Sequence, residues 1–317
     1  MKFLVTGGAG FIGSAFVDRL LAGGHEVVVF DNLSTGRKEF LRPAEQAAGF
    51  TFVCGDLLDV QTLTRAMEGC EFVIHLAANA DVRFGTEHPR KDLEQNTIAT
   101  FNVLEAMRAN RIGRIAFSST GSIYGEPAVF PTPENAPFPV QTSLYGASKL
   151  ACEGLIAAYC EGFNFQSWIF RFVSILGERY THGHIVDFYN QRQRHPNRLE
   201  VLGDGNQCKS YLYVNDSVDA MLAAIQSAKC RINIFNLGTN AYCALKDSIA
   251  WITAELQLSP EITYSGGQRG WIGDSPFIFL DCSRMRELGW RPQLTIQEAV
   301  VRTVRYLQKN SCSAKRG

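Results

Sequence analysis

A tyrosine and a lysine four residues apart, Tyr145 and Lys149 in YGASK (145–149), follow a hydroxyl-rich stretch, SSTGSIYGEP (118–127). On a helix the two side chains share one face, a turn apart. A buried ammonium near a phenol favours the phenolate and lowers its pKa towards working pH, which makes Tyr145 a usable general base. The alternative is a core tyrosine beside a solvated lysine. The chemical reading gains from the hydroxyls upstream and from a glycine pattern near the N terminus.

That pattern is LVTGGAGFIGSAFVDRL, with Gly8, Gly10 and Gly13 in GxGxxG spacing after an apolar run. Glycines there allow a tight turn, let the backbone approach a pyrophosphate and let helix and strand pack closely, with the helix N terminus facing the anion. Asp31 closes EVVVFD downstream. It is placed to accept hydrogen bonds from an adenosine ribose and to repel a 2′-phosphate, which favours NAD over NADP, although Arg37 and Lys38 lie close by. Asp56 and Leu57 in CGDLLD stand at another strand end, where they would flank an adenine. Leu76, Ala77 and Ala78 in HLAANA offer a cofactor close passage.

Holding such groups in place takes a sheet. Short β-branched and aromatic runs (KFLVTG, EVVVFD, FTFVCGD, FVIHLAA, RIAFSS, QSWIFRF) alternate with stretches of helical period such as Ser14 to Ala22. This predicts an α/β fold, a Rossmann-type doubly wound parallel sheet with a smaller mixed α/β substrate-binding domain. Residues 1–173 form the dinucleotide-binding domain, with RINIFNLG (231–238) returning to it as a late strand. Residues 174–310 form the second domain, looser in pattern, with helical stretches at Val214 to Ser227 and Ile296 to Lys309 and a helix beginning near Ser283. The crevice between the domains is the expected ligand site.

Lys plus Arg equals Asp plus Glu at 31 each in 317 residues, so no overall basic field invites nucleic acid or an anionic membrane. Nine cysteines without a CxxC pair form neither a disulfide nor a zinc framework, and point to a reducing cytosol. The start, MKFLVTGGAGFIG, is too short in its apolar part for a signal peptide, and no later run reaches a membrane span. A cytoplasmic protein without a metal is expected.

Taken together, TGGAGFIG, DNLSTG, GDLLD, HLAA, SSTGSIYGE, YGASK and GDGNQCKSYLYVND resemble the extended short-chain dehydrogenase/reductase family, in its branch of NAD-dependent nucleotide-sugar epimerases and dehydratases. The resemblance runs from Met1 to about Gln308. It implies NAD held by Gly7, Gly10, Phe11 and Ile12 in the first turn and by Asn32, Ser34, Thr35 and Gly36 beside Asp31. It also implies cofactor contacts from Asp56, Leu57, Leu76, Ala77, Ala78 and Ala80, and from Asn96, Ser118, Tyr145, Lys149 and Val173.

By the same resemblance Thr120, Tyr145 and Lys149 are catalytic. Tyr145 is the acid/base on the sugar 4-hydroxyl, Lys149 binds the nicotinamide ribose and tunes the phenol, and Thr120 hydrogen-bonds the same oxygen. The implied chemistry is loss of the O4 proton with hydride transfer from C4 to NAD, rotation of a transient 4-keto sugar, and hydride return to its other face. Thr120, Tyr145, Ser174, Leu202, Lys209 and Arg269 would meet a nucleotide sugar. Lys209 stands where the family usually has arginine, and Ser174 where asparagine is common. Arg83 and His184 are further candidates to meet a substituted sugar, with structural roles favoured; His75 reads as a packing residue. Two helical stretches, Leu93 to Arg108 and Tyr145 to Gly162, match those that pair in family homodimers.

Related dehydratases carry an Asp-Glu pair where this chain has Gly121 and Ser122, and decarboxylases a glutamate at the place of Ser122. Without those carboxylates the expected reaction is simple 4-epimerisation of a UDP-hexose pair such as UDP-glucose and UDP-galactose. The alternatives are an epimerase of UDP-glucuronate, UDP-N-acetylglucosamine or a CDP- or GDP-sugar, an NAD(P)H-dependent 4-ketosugar reductase, and a non-catalytic protein that keeps the NAD fold.

Overall fold

The apolar runs of the first half become strands whose side chains are covered on both faces, as a parallel sheet inside two helical layers requires, except for the edge strand at residues 50–54, which stays half exposed. In the computed structural model, which describes residues 1–138 and 140–314, they are β1 (Lys2–Thr6), β2 (Glu26–Asp31), β3 (Phe50–Cys54), β4 (Phe72–His75), β5 (Arg114–Thr120) and β6 (Gln166–Phe172). The second half adds β7 (Ser174–Leu176), β8 (Arg198–Val201), β9 (Cys208–Lys209), β10 (Tyr211–Tyr213) and β11 (Ile232–Leu237), then β12 (Cys243–Ala244), β13 (Glu261–Tyr264) and β14 (Phe277–Ile278). Seven strands make the main sheet in the order β11-β6-β5-β4-β1-β2-β3. Every pairing in it is parallel. Strand order reverses between β1 and β4, so a crevice opens at their C-terminal ends, the usual ligand position in such sheets.

Helices α1 (Phe11–Ala22), α2 (Val60–Ala66), α3 (Val82–Glu87), α4 (Pro89–Asp92), α5 (Ala99–Ala109) and α6 (Leu144–Phe163) connect the strands. Alternate residues of β1 feed different cores: Phe3 and Val5 join one, Leu4 the other. The helix expected from Leu93 opens instead with a π-helical stretch, Leu93–Ile98, before α5. Within it Asn96 is turned into a buried polar cluster, and that demand accompanies the wider turn.

Beyond β6 lie α7 (His184–Arg194), α8 (Val214–Ser227), α9 (Leu245–Glu255), α10 (Ser283–Glu287) and α11 (Ile296–Ala314), the last running past the expected end at Lys309. β7 pairs with β10, β8 with β13, and β9 with both β12 and β14. These short pieces face the C-terminal ends of the main sheet across the cavity described below.

Candidate active site

After β1 the chain turns at Gly7, whose φ is +68°. A Cβ there would stand 2.7 Å from the Ala77 nitrogen, so this turn and the 76–78 loop after β4 meet backbone to backbone. A Cβ on Gly13 would come 2.1 Å from the Gly7 carbonyl oxygen. The working spacing is therefore Gly7, Gly10, Gly13. Gly8, first in the expected GxGxxG, packs on Val29 instead, its Cβ position 2.8 Å from Cγ1. α1 starts at Phe11 with Gly10 as N-cap, no capping side chain and no acid in its first turn, so its N–H groups remain available to an anion.

Asp31 ends β2 in a buried position. Its carboxylate accepts from the Ala9 N–H at 3.0 Å and the Leu33 N–H at 2.8 Å. Burial pushes its carboxyl above the ordinary value against those two hydrogen bonds. Gly36 closes on the same group: a Cβ would lie 2.7 Å from Asp31 Oδ1. Asn32, Ser34 and Thr35 are exposed beside it, and Asn32 donates to Asp56 at 2.9 Å. A backbone cradle closed to any Cβ, an uncapped helix start and this carboxylate fit the pyrophosphate and ribose of NAD.

The hydroxyl strand β5 ends at Thr120, which caps a 3-10 turn by accepting from the Ser122 N–H at 3.1 Å. Ser143 caps α6 by accepting from the Gly146 N–H at 3.0 Å, which places Tyr145 in the first helical turn. Gly146 is needed for that docking, since a Cβ would sit 2.9 Å from the Ser122 carbonyl oxygen. The Tyr145 phenol meets the Thr120 hydroxyl. That contact favours the phenolate, but burial outweighs it and raises the phenol's pKa. Lys149, 2% exposed, donates to the Ser118 carbonyl at 2.7 Å and lies 4.4 Å from the Phe117 ring centroid. Burial pushes its ammonium down to about 8, with Cys152 and Glu153 pulling the other way. The expected lowering of Tyr145 by Lys149 is thus not what the chain alone provides: desolvation governs the phenol, and the ammonium is engaged by Ser118.

Thr120, Ser122 and Tyr145 line a cavity of about 700 Å³ together with Phe11, Ile12 and Ala80. Val173, Ser174, Leu202 and Lys209 line it too. Lys209 is bound to Asp274 at 2.5 Å and lies 4.9 Å from the Trp271 ring centroid. Arg83, another lining residue, is paired with Asp187 at 3.4 Å and stacked over Trp271. His184 contacts Ser248 Oγ at 2.8 Å, and burial pushes its imidazole down to about 3, so it stays neutral. His75 is enclosed between Thr6 and Thr100. Among the described residues no group of His, Cys, Asp and Glu could hold a metal ion, and no helix is long and apolar enough to cross a membrane.

Several sequence-derived candidates are not among the residues that line the cavity. Arg269 is drawn off by Glu126 and the Asp274 carbonyl and is not among the lining residues. Asn96, 1% exposed, spends its amide on Asn79 and Ser148 beneath the loop after β4. Leu57 belongs to the core, leaving Asp56 as the more accessible of that pair. Ser118 turns its carbonyl to Lys149 and its hydroxyl to the His75 carbonyl at 3.4 Å. Sequence reasoning missed Trp271 and Asp274 in the cavity wall, and Glu153 and Arg171 behind it. Glu153 was within reach, because it continues the four-residue spacing of Tyr145 and Lys149, and Arg171 was visible as a lone charge in the apolar run QSWIFRF.

The chain is similar to known proteins along its whole length. A family model described as the NAD dependent epimerase/dehydratase family matches residues 3–238. A UDP-glucose 4-epimerase of Mycolicibacterium smegmatis is 33% identical over 317 residues, covering 98% of this chain and 100% of the relative. A crystal structure of a UDP-galactose 4-epimerase superposes with a TM-score of 0.88 at 38% identity, covering 98% of this chain and 99% of the other. The UDP-glucose 4-epimerase of Thermus thermophilus, solved in complex with NAD, gives 0.86 at 32% identity, covering 97% and 99%.

Proposed function

The chain belongs to the NAD dependent epimerase/dehydratase family, and from that premise we propose that it is a UDP-sugar 4-epimerase whose pair is UDP-glucose and UDP-galactose. The observation that carries this reading is the Thr120–Tyr145 contact in the cavity wall, with Gly121 and Ser122 following where extra acid–base chemistry would need carboxylates. The names of the relatives support UDP-hexoses as substrates.

In this reading Tyr145 takes the proton from the sugar 4-hydroxyl and later returns it, and Thr120 hydrogen-bonds the same oxygen so that the proton has a second polar partner. Lys149, buried against Ser118, supplies positive charge beside the phenol's helix face and holds the nicotinamide ribose. Gly7, Gly10 and the start of α1 hold the pyrophosphate, and Asp31 the adenosine ribose. Bound there, NAD supplies reversible hydride acceptance at the sugar's C4. Lys209 meets the substrate diphosphate, while Leu202 and Ser174 line the path between nucleotide and sugar. The cavity, about 700 Å³, leaves the oxidised sugar room to turn.

We further read residues 1–173 with the returning strand β11 as the NAD-binding part and residues 174–310 as the nucleotide-sugar part. Leu93, Ile98, Phe101 and Phe163 leave apolar surface exposed along the π-helical stretch, α5 and α6, which supports a homodimer through those faces.

The test incubates the purified protein with a panel of UDP-, CDP- and GDP-sugars and no added reductant, followed by anomeric-proton NMR with absorbance at 340 nm alongside. Interconversion of UDP-glucose and UDP-galactose without net NADH is the expected result. Sugars that stay unchanged until NADH or NADPH is supplied with a 4-keto sugar, and stoichiometric consumption of that cofactor, would replace it with a reductase.

A further inference from the structure

From the cavity wall, which Ser119 helps to line, a buried polar chain runs inward that the ligand-facing residues do not explain. Tyr145, Lys149 and Glu153 recur every four residues along α6 and so share one face. Glu153, 5% exposed, accepts from Ser119 Oγ at 2.5 Å, and Ser119 is the strand neighbour of Thr120. Arg171 of β6 grips the same carboxylate with Nη2 at 2.7 Å and Nε at 3.1 Å. Its Nη1 donates to the Tyr124 hydroxyl at 2.7 Å and the Glu134 carbonyl at 2.8 Å, and Tyr124 donates to Asn236 Oδ1 at 2.9 Å. One path thus ties α6 to β5, β6, β11 and the turn after Thr120.

A buried arginine–glutamate pair adds little net stability over an apolar pair of the same shape, so stability alone does not account for this one, set a single residue from Thr120. What it fixes is position. With Glu153 bonded to both Ser119 and Arg171, α6 cannot slide or rotate against β5 without breaking hydrogen bonds to buried charges. We propose that Glu153 is a positioning residue for the reaction: through Ser119 it sets Thr120 against the Tyr145 hydroxyl.

This rests on the epimerase reading, yet its consequence is visible without a sugar. The groups acting on Tyr145 are the Thr120 hydroxyl from β5, the Asp92 carboxylate from α4 and the Cys152 thiol from α6, with the Lys149 ammonium one turn along and the Glu153–Arg171 pair behind. Of the interacting side chains, Thr120 is the one that favours the phenolate. Loosening Thr120 therefore changes the hydrogen bonding of the phenol as well as slowing turnover.

The experiment compares the NAD-loaded parent with Ser119→Ala, Ser119→Thr and Glu153→Gln. Ser119→Ala leaves the Arg171–Glu153 pair in place, so it keeps the test open if Glu153→Gln does not fold. Ser119→Ala is expected to lower kcat about tenfold or more with KM for the UDP-sugar unchanged within about twofold. Ser119→Thr, which keeps a hydroxyl, recovers most of the loss. In parallel, ¹³Cζ-tyrosine NMR at one fixed pH, with Tyr145 assigned by its loss in Tyr145→Phe, reads a Tyr145 resonance that moves in Ser119→Ala and returns in Ser119→Thr. The same resonance position in all of them, or a kcat for Ser119→Ala within about twofold of the parent, overturns the proposal. Failure of the epimerase reading looks different: the parent itself leaves every UDP-sugar unchanged, and the Tyr145 resonance still decides the role of Glu153.

Discussion

Asp274, 3% exposed, accepts from Lys209 at 2.5 Å in the wall of the candidate cavity. A diphosphate reaching Lys209 therefore meets a cation already shared with a carboxylate, and the ammonium serves both partners. Lys209→Met is expected to weaken UDP binding about ten- to hundredfold, the worth of a charge-assisted hydrogen bond. The same change leaves a buried Asp274 with the Gly270 N–H but without its cationic partner, so the thermal midpoint falls as well. Calorimetric titration with UDP and a thermal melt check the two effects separately; unchanged affinity would take Lys209 out of the phosphate site.

Tyr145→Phe removes the hydroxyl that meets Thr120 and leaves the ring that packs in the cavity wall. NAD content is expected to stay near that of the parent, while kcat falls by about two orders of magnitude or more. Turnover and extracted cofactor measured on one preparation decide it, and near-normal kcat would assign the proton transfer elsewhere.

Lys149 links the site to stability. Its folded value of about 8 lies below the ordinary 10.5, so between the two the unfolded chain holds a proton that the folded chain has released. Stability then rises with pH across that window, by about 3 kcal/mol at its upper end, and the gain is lost as pH falls back through about 8. Urea titrations across the window should show this slope in the parent and a flatter one in Lys149→Met. Equal slopes would mean another group titrates.

Gly121 and Ser122 are not equivalent places for a carboxylate. A Cβ on Gly121 would lie 3.3 Å from Leu280 Cδ1 and 3.5 Å from Ile278 Cγ2, whereas Ser122 lines the cavity. The double change Gly121→Asp with Ser122→Glu is therefore expected to destabilise the fold by burying a charge against apolar side chains, without producing an efficient dehydratase. Its product mixture by NMR is the check, and efficient formation of a 4-keto-6-deoxy sugar would show that these two positions alone choose the reaction.

The parts legible in the sequence were those written in local pattern. The sheet strands announce themselves as apolar runs, the phosphate turn as glycines, and the tyrosine–lysine pair as helical spacing. What stayed hidden depends on contacts far apart in the chain. Gly7 rather than Gly8 opens the turn because Ala77 approaches it from β4. The pairing of Arg269 with Glu126, distant in sequence, was equally out of reach of local pattern. The four-residue spacing shows that Lys149 and Tyr145 share a helix face, but not that the ammonium donates to the Ser118 carbonyl, nor that burial raises the phenol and lowers the ammonium.

The pairing of β11 with β6 bears on how the chain comes into being. Residues 174–231 are made after β6 and before the strand that covers its open edge. During synthesis the growing sheet therefore waits with unpaired N–H and C=O groups along β6 until residue 237 has emerged, a template for pairing with another nascent chain. A nascent chain whose β6 has left the ribosome while β11 has not would hold the strands β1 to β6 in place with one edge still adhesive.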